Sequence, residues 1–161
     1  MNSAASFVRA TSYQDVIVSD IFGPVEFSED QLLLFANGIP GFPECAKWIL
    51  IQGEKPGTAW LQSIDLGALT FLLVDPFVFF EGFSIEFSPS DLRMLGADDA
   101  SALTVFAIVT FPATRDEPVT ANLQGPIVIN PASCRAAQMV MSEGPWTVRH
   151  AFHFSAAAER Q

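Results

Sequence analysis

The sequence predicts an all-β, mainly antiparallel domain, built as a small barrel or a sandwich with one or two short helices. Short apolar runs rich in β-branched and aromatic residues recur along the chain, separated by Gly, Pro, Asn and Asp. Each run has the length of a strand, and many closely spaced short strands are typical of barrels and sandwiches. Only one segment carries clear helix signals at both ends. The runs are DVIVSDIFG, KWILIQG, TAWLQSID, LTFLLVDP, LTVFAIVTFP, VTANLQGP and PIVIN.

The helical segment is SPSDLRMLGADD. Ser88 is a favourable N-cap, with Pro89 at the first helical position and Asp91 in the first turn. Gly96 provides a C-terminal stop. These signals predict a short helix that starts after Ser88.

A second segment, SEDQLLLFANG, is ambiguous. Ser28 and Gln31 match a capping box, which favours a helix, whereas Leu32 to Phe35 equally fit a buried strand. We expect a strand, because the glycines and prolines between Gly38 and Pro43 would end a helix at once.

The stretch from Leu69 to Phe83 contains five of the fifteen phenylalanines. A membrane-spanning helix needs about 20 consecutive apolar residues, and Asp75-Pro76 interrupts this run. From Leu69 to Val74 both faces of a strand would be largely apolar, which predicts a central strand covered on both sides. After Pro76 two interpretations remain open: packing in the core, or lining a surface groove. The residues concerned are Phe77, Phe79, Phe80 and Phe83.

The length of 161 residues fits one domain. We expect a flexible leader over residues 1–14, a single β domain over residues 15–153 and a tail over residues 154–161. The first residues do not show a basic segment followed by an apolar one, so we expect no signal peptide and a cytoplasmic protein.

The net charge of −10 is concentrated in the first two thirds of the chain. Residues 1–110 contain fourteen Asp and Glu against four Lys and Arg, and the remainder is balanced. Such a chain lacks the basic surface that holds phosphate backbones, so direct nucleic-acid binding is disfavoured. The same charge would attract a basic protein. The alternative is that the charge only keeps the protein soluble.

Motifs for catalysis, cofactors and metals are not found in the sequence. Nucleophile-elbow, P-loop and dinucleotide-binding patterns are missing, and Cys45 and Cys134 lie too far apart for a CxxC motif. His150 and His153 face opposite sides of an extended segment, which disfavours a shared metal. We therefore expect a protein that is not an enzyme and binds no cofactor or metal.

Several phrases, taken in order, resemble the flagellar assembly factor FliW family. The resemblance extends over about residues 15 to 152, with Gln124-Gly125 and Trp146 as departures from the family pattern. The phrases are GIPGF, WLQSID, VDPFVFFEGF, FAIVTFP, TANLQGPIVIN, Arg135 with Gln138, and WTVRH.

The resemblance implies a barrel-like domain without catalytic activity that binds two proteins in the cytoplasm. One is the basic RNA-binding regulator CsrA, which represses flagellin translation and would be antagonised. The other is flagellin, which would compete with CsrA for the protein. Neither the membrane nor nucleic acid is an expected direct partner.

Two sets of candidate binding residues follow from these observations. The first set would contact a protein partner, although turn formation and core packing are alternative roles: Phe77, Phe79, Phe80, Phe83, Asn122, Pro126, Ile127 and Asn130. The second set is expected to steer the basic partner electrostatically: Glu81, Glu86, Asp91, Asp98 and Asp99. The alternative function is a small β-barrel that binds a small ligand or performs hydrolytic chemistry.

Overall fold

The structure of the protein is a computed structural model, and it describes residues 15–155. The predicted leader over residues 1–14 and most of the predicted tail lie outside the described residues. Within this range the chain forms strands and two short α-helices. The strands are β1 Asp15–Ser19, β2 Gly23–Phe27, β3 Leu33–Phe35, β4 Lys47–Gln52, β5 Thr58–Ser63, β6 Thr70–Val74, β7 Thr104–Thr110, β8 Thr120–Ala121, β9 Ile127–Asn130, β10 Arg135–Gln138 and β11 His150–Ala151. The helices are α1 Pro76–Phe79 and α2 Pro89–Met94.

Seven of these strands close into a barrel. The pairing runs β7-β6-β5-β4-β3-β10-β9, and β9 pairs with β7 to complete the ring. The pairs are antiparallel, except that β3 and β10 are parallel. Strands β8 and β11 extend the sheet beyond β7. The predicted all-β barrel with short helices is confirmed, and closure removes most of the exposed strand edges.

Alternation along β6 separates two hydrophobic clusters. Phe71 and Leu73 point into the barrel, whereas Leu72 and Val74 point outward, as the two-residue period of a strand requires. Leu73 and Val74 are both 0% exposed. Because β6 lies between β5 and β7, the prediction of a central strand covered on both faces is confirmed.

We call the apolar interior of the barrel the inner cluster. All seven barrel strands contribute to it, and Trp48 lies fully buried within it. The Trp48 indole N–H donates to the carbonyl of Cys45 at 2.8 Å, so its polar atom is satisfied. The buried members are Leu33, Phe35, Ile39, Cys45, Trp48, Ala59, Leu61, Leu73, Phe106, Ile127, Ile129 and Ala136.

A second apolar cluster, the outer cluster, covers the outside of the barrel at β6, β7 and β9. It is completed by α1, the loop after it and the C-terminal segment, and it also includes Leu95, which follows α2. The buried members are Val74, Phe79, Phe80, Phe83, Leu95, Leu103, Val105, Ala107, Val109, Ala121, Leu123, Val128 and Phe152. The domain therefore has two apolar layers, with β6, β7 and β9 between them.

On the outside of β4 and β5 lies the β1–β2 hairpin. Phe22, at its turn, makes a T-shaped contact with Trp60, with 5.6 Å between the ring centroids. The side-chain oxygen of Ser19 accepts the N–H groups of Ile21 and Phe22, and this interaction closes the turn. The hairpin is a separate two-stranded sheet.

Both N-cap signals in the sequence, at Ser88 and at Ser28, form capping boxes in the structure. Ser88 caps α2 and exchanges hydrogen bonds with Asp91, so the predicted helix is confirmed. Ser28 and Gln31 form their capping box around a single 3-10 turn, which β3 follows directly. The expected strand is thus confirmed, and the capping box is real but extends over only one turn.

Candidate functional site

The Asp75-Pro76 pair ends β6 and starts α1. The Asp75 carboxylate accepts the N–H of Phe77 at 2.9 Å, and Pro76 occupies the first helical position, where its missing N–H is not needed. The helix lasts one turn and ends at Phe79, with Phe80 as its C-cap. This short turn places successive phenylalanines in different directions over the outer face of the barrel.

Three of the four candidate phenylalanines are buried. Phe79, Phe80 and Phe83 are 4%, 6% and 7% exposed, whereas Phe77 is half-buried and contacts Phe83. This burial favours the core interpretation for most of each ring. A contact with a partner is then limited to ring edges that reach the surface.

Of the four, Phe79 and Phe80 line an aromatic depression of about 320 Å³. Phe80 packs against Phe152 at 5.3 Å between centroids, and the imidazole of His150 lies between Phe80 and Trp146 at 5.6 and 5.5 Å. We define the aromatic depression by its lining residues: Phe79, Phe80, Glu81, Trp146, His150, Ala151, Phe152, His153 and Ser155.

Six of the nine lining residues come from the segment between Trp146 and Ser155. The sequence connected this segment with the family resemblance, a disfavoured metal site and a tail, but not with the phenylalanines after Pro76. Phe154, assigned to the tail, packs against Phe79 and Phe152, so the ordered packing extends at least to that residue. A signal was available. HAFHF alternates, with His150, Phe152 and Phe154 on one face, and such alternation is typical of an extended segment that packs one face against a core.

The Asn122–Asn130 segment is built mainly for structure. The Asn122 side-chain oxygen accepts the N–H groups of Gln124 and Gly125 at 3.2 and 2.8 Å, which fixes the turn before β9. Pro126 and Ile127 are buried. Their burial favours the structural interpretation, and partner contact stays a prediction for this set.

Asn130 anchors the end of α2 to the barrel. It is 1% exposed, and its Nδ2 donates to the carbonyl of Leu95 at 2.8 Å while its Oδ1 accepts the N–H of Ala132. The Ser133 hydroxyl donates to the same Leu95 carbonyl. A buried side chain with both polar atoms paired holds two elements in register.

The predicted acidic set divides into two groups. Asp91 belongs to the α2 capping box, and Asp99 accepts hydrogen bonds from Ser101 that hold the pKa of its carboxyl below the usual value. Glu81, Glu86 and Asp98 are exposed. Glu81 borders the aromatic depression, so one predicted steering residue lies beside the predicted contact surface.

Known proteins match almost the entire described range. The family model described as FliW protein matches residues 16–152. The chain belongs to the FliW family. A flagellar assembly factor FliW from Natranaerobius thermophilus is 34% identical over 135 residues, which cover 83% of this chain and 89% of the relative. One from Treponema denticola is 35% identical over 134 residues, covering 83% and 90%.

A solved structure gives the same result for the fold. The crystal structure of a flagellar assembly factor FliW superposes on this FliW-family chain with a TM-score of 0.78 and 30% identity, covering 85% of this chain and 96% of the other. The predicted family resemblance is therefore confirmed. Family membership supports a role in flagellar assembly, and the relatives are named as assembly factors rather than enzymes.

Among residues 15–155 there is no cluster of three or more His, Cys, Asp or Glu that could hold a metal ion. Burial, together with nearby Asp30, raises the pKa of the Cys134 thiol, which disfavours the reactive thiolate. Over the same range no helix is both long and apolar enough to cross a bilayer.

Proposed function

We propose that this FliW-family chain is a non-catalytic flagellar assembly factor that binds a CsrA-type basic RNA-binding regulator and, in competition, flagellin. The family match over residues 16–152 carries the proposal, because it includes the barrel, both helices and most of the aromatic depression. Binding the regulator would relieve repression of flagellin translation in the cytoplasm. Two mutually exclusive protein ligands suffice for such a switch, which needs no covalent chemistry.

Flagellin binds at the aromatic depression in this proposal. Its rings are mostly buried but present edges to solvent, and Trp146 at its rim is half-buried between Phe83 and His150. An amphipathic helix of flagellin supplies apolar side chains at three- and four-residue spacing, which match a shallow apolar groove. The aromatic rim gives a large contact area at a low cost in side-chain entropy.

The regulator is attracted by the acidic surface. The net charge of −10 and the exposed carboxylates Glu81, Glu86 and Asp98 favour approach of a basic dimer. The alternative of a ligand-binding or hydrolytic barrel is not favoured, because the aromatic depression is open to solvent and not a closed cavity.

The decisive experiment is a titration of the purified protein against a complex of the regulator with its flagellin leader RNA. We expect release of RNA as the protein is added at micromolar concentration, followed by RNA rebinding when flagellin is added. The readouts are fluorescence anisotropy of labelled RNA and co-purification of each protein pair. An RNA complex that is unaffected by micromolar protein would exclude the antagonist role for this chain.

Electrostatic steering is tested by neutralising Glu81, Glu86 and Asp98 to the amides. These three are separated from Asp91 and Asp99 because the latter pair cap short helical segments, so their replacement also alters local structure. We expect a slower association rate with the regulator and a weaker dependence of that rate on salt. Asp91→Asn with Asp99→Asn, which retains a capping oxygen, is the second arm. An association rate unchanged in both variants would remove the steering role.

A further inference from the structure

The β1–β2 hairpin presents an apolar face to solvent. Its register places Val18 opposite Pro24 and Val16 opposite Glu26, so these four side chains share one side of the hairpin. Val16 and Val18 are 57% and 65% exposed, and Ile21 at the turn is 54% exposed. We define the hairpin face as Val16, Val18 and Pro24 together with the turn residue Ile21, and Glu26 lies on the same side as the valines. Contiguous exposed apolar groups of this kind often mark interaction sites.

This face is held in place by the barrel beneath it. The Asp20 N–H donates to the carbonyl of Gly67 at 3.0 Å, and Phe22 contacts Trp60. A Cβ at position 67 would collide with the carbonyl oxygen of Val18, so only glycine allows the β5–β6 loop to approach the hairpin this closely. The exposed valines therefore lie on a preformed surface, which lowers the entropy cost of binding.

The chain segment that carries the hairpin face is acidic. Between residues 15 and 46 the chain has six carboxylates and no Lys, Arg or His: Asp15, Asp20, Glu26, Glu29, Asp30 and Glu44. All six are exposed. A second copy of this chain would bring like charges together, and nucleic acid would be repelled. A protein surface that is basic around an aliphatic centre complements both the charge and the apolar face.

We propose that the hairpin face is a docking surface for a basic partner protein, with Val16, Val18 and Ile21 in the centre of the contact. The proposal rests on the proposed function in one respect, because it assigns this surface to the basic regulator and leaves the aromatic depression to flagellin. Competition between the two partners would then come from steric overlap of the bound proteins, not from a shared contact surface. An open depression between the hairpin and β4, lined by Phe22, Pro24, Val25, Glu26 and Ile51, adjoins the face and receives a partner side chain.

The test measures binding of the purified regulator dimer to the full-length protein by calorimetry. The variant is Val16→Ser with Val18→Ser, and the matched control is Val140→Ser with Val148→Ser, two valines that are 83% and 54% exposed elsewhere on the surface. We expect the hairpin variant to raise Kd about tenfold or more, whereas the control leaves it unchanged. The urea midpoint of each variant monitors the fold.

A second variant, Asp20→Asn with Glu26→Gln, changes only charge. We expect it to weaken regulator binding at low salt and to have little effect at high salt, while flagellin binding stays at the wild-type level in both hairpin variants. This charge variant keeps both valines. Its binding result therefore tests the docking surface even if the serine variant unfolds.

The outcomes separate the two proposals. Wild-type protein that does not bind the regulator overturns the proposed function and this assignment together. Regulator binding that is equal in wild type and both hairpin variants overturns the docking surface alone. The same follows if wild type forms a concentration-dependent dimer that Val16→Ser with Val18→Ser abolishes, because the face then binds a second copy.

Discussion

The inner and outer clusters contain the same kinds of side chain but differ in how completely they exclude water. In the inner cluster Trp48, Phe35 and Leu61 are all 0% exposed, enclosed by the strands of the barrel. In the outer cluster the core rings are flanked by half-buried neighbours such as Phe77 and Trp146. Half-buried side chains such as Phe42 and Phe71 also border the inner cluster, but of the two clusters it is the outer one whose rings line the aromatic depression.

This difference shows where stability and function are separable. A substitution inside the barrel affects only folding, because no partner can reach those side chains. At the rim of the outer cluster a ring can serve both the core and a contact. Binding sites are commonly placed where a rigid scaffold presents partly exposed aromatic groups. Three substitutions test this distinction.

The largest expected effect is in the inner cluster. Trp48→Ala should lower the free energy of unfolding by about 3–5 kcal/mol, because it leaves a cavity in a closed interior. It also leaves the Cys45 carbonyl without the indole N–H that it accepts. Urea denaturation gives the measurement, with Trp60→Ala on the outside of the barrel as the control. A loss for Trp48→Ala no larger than that of the half-buried Trp60 would contradict the closed-interior description.

A smaller loss is expected at the buried edge of the aromatic depression. Phe80→Ala should lower the free energy of unfolding by about 3 kcal/mol, since Phe80 is 6% exposed and packs against Phe152. Phe111→Ala is the control, because Phe111 is 56% exposed and should change stability by about 0.5 kcal/mol or less. A Phe80→Ser protein that stays fully stable but cannot bind flagellin would instead make this ring groove lining rather than core.

At the rim we expect the smallest effect on stability and the clearest effect on binding. Trp146→Ala should lower the free energy of unfolding by about 1–2 kcal/mol, because the ring is only half-buried. Flagellin affinity should fall about tenfold, as for a truncated aromatic hot spot. Titration calorimetry with flagellin checks this. Wild-type affinity in Trp146→Ala would exclude the aromatic depression as the flagellin site.

Local sequence signals predicted the elements whose cause is local. Ser88, Pro89 and Asp91 predicted α2, and the alternation from Leu69 to Val74 predicted a central strand, because caps and strand period act over a few residues. The sequence did not predict strands β2, β10 and β11. Pro24 interrupts the apolar pattern of β2, RAAQ of β10 has weak strand propensity, and β11 has only two paired residues.

The candidate site could be predicted only in part for a similar reason. The sequence singled out Phe77 to Phe83 as a group. Because strand alternation ends at Pro76, the sequence could not assign these rings to the core or to the surface. It also did not associate Trp146 and Phe152 with them, because about seventy residues separate these segments along the chain. Contacts of this separation depend on the closure of the barrel, not on local pattern.

By itself, the sequence determined the all-β class, the short capped helix, the acidic surface charge and the family, since each depends on residue type, spacing or order. The tertiary structure decided that β9 closes onto β7, that Asn130 anchors α2, and that the C-terminal aromatic residues complete the depression. Burial and pairing between distant segments arise only when the ring of strands closes. Whether an apolar residue lies in the interior, as Trp48 does, or at the surface, as Val18 does, is therefore a property of the fold.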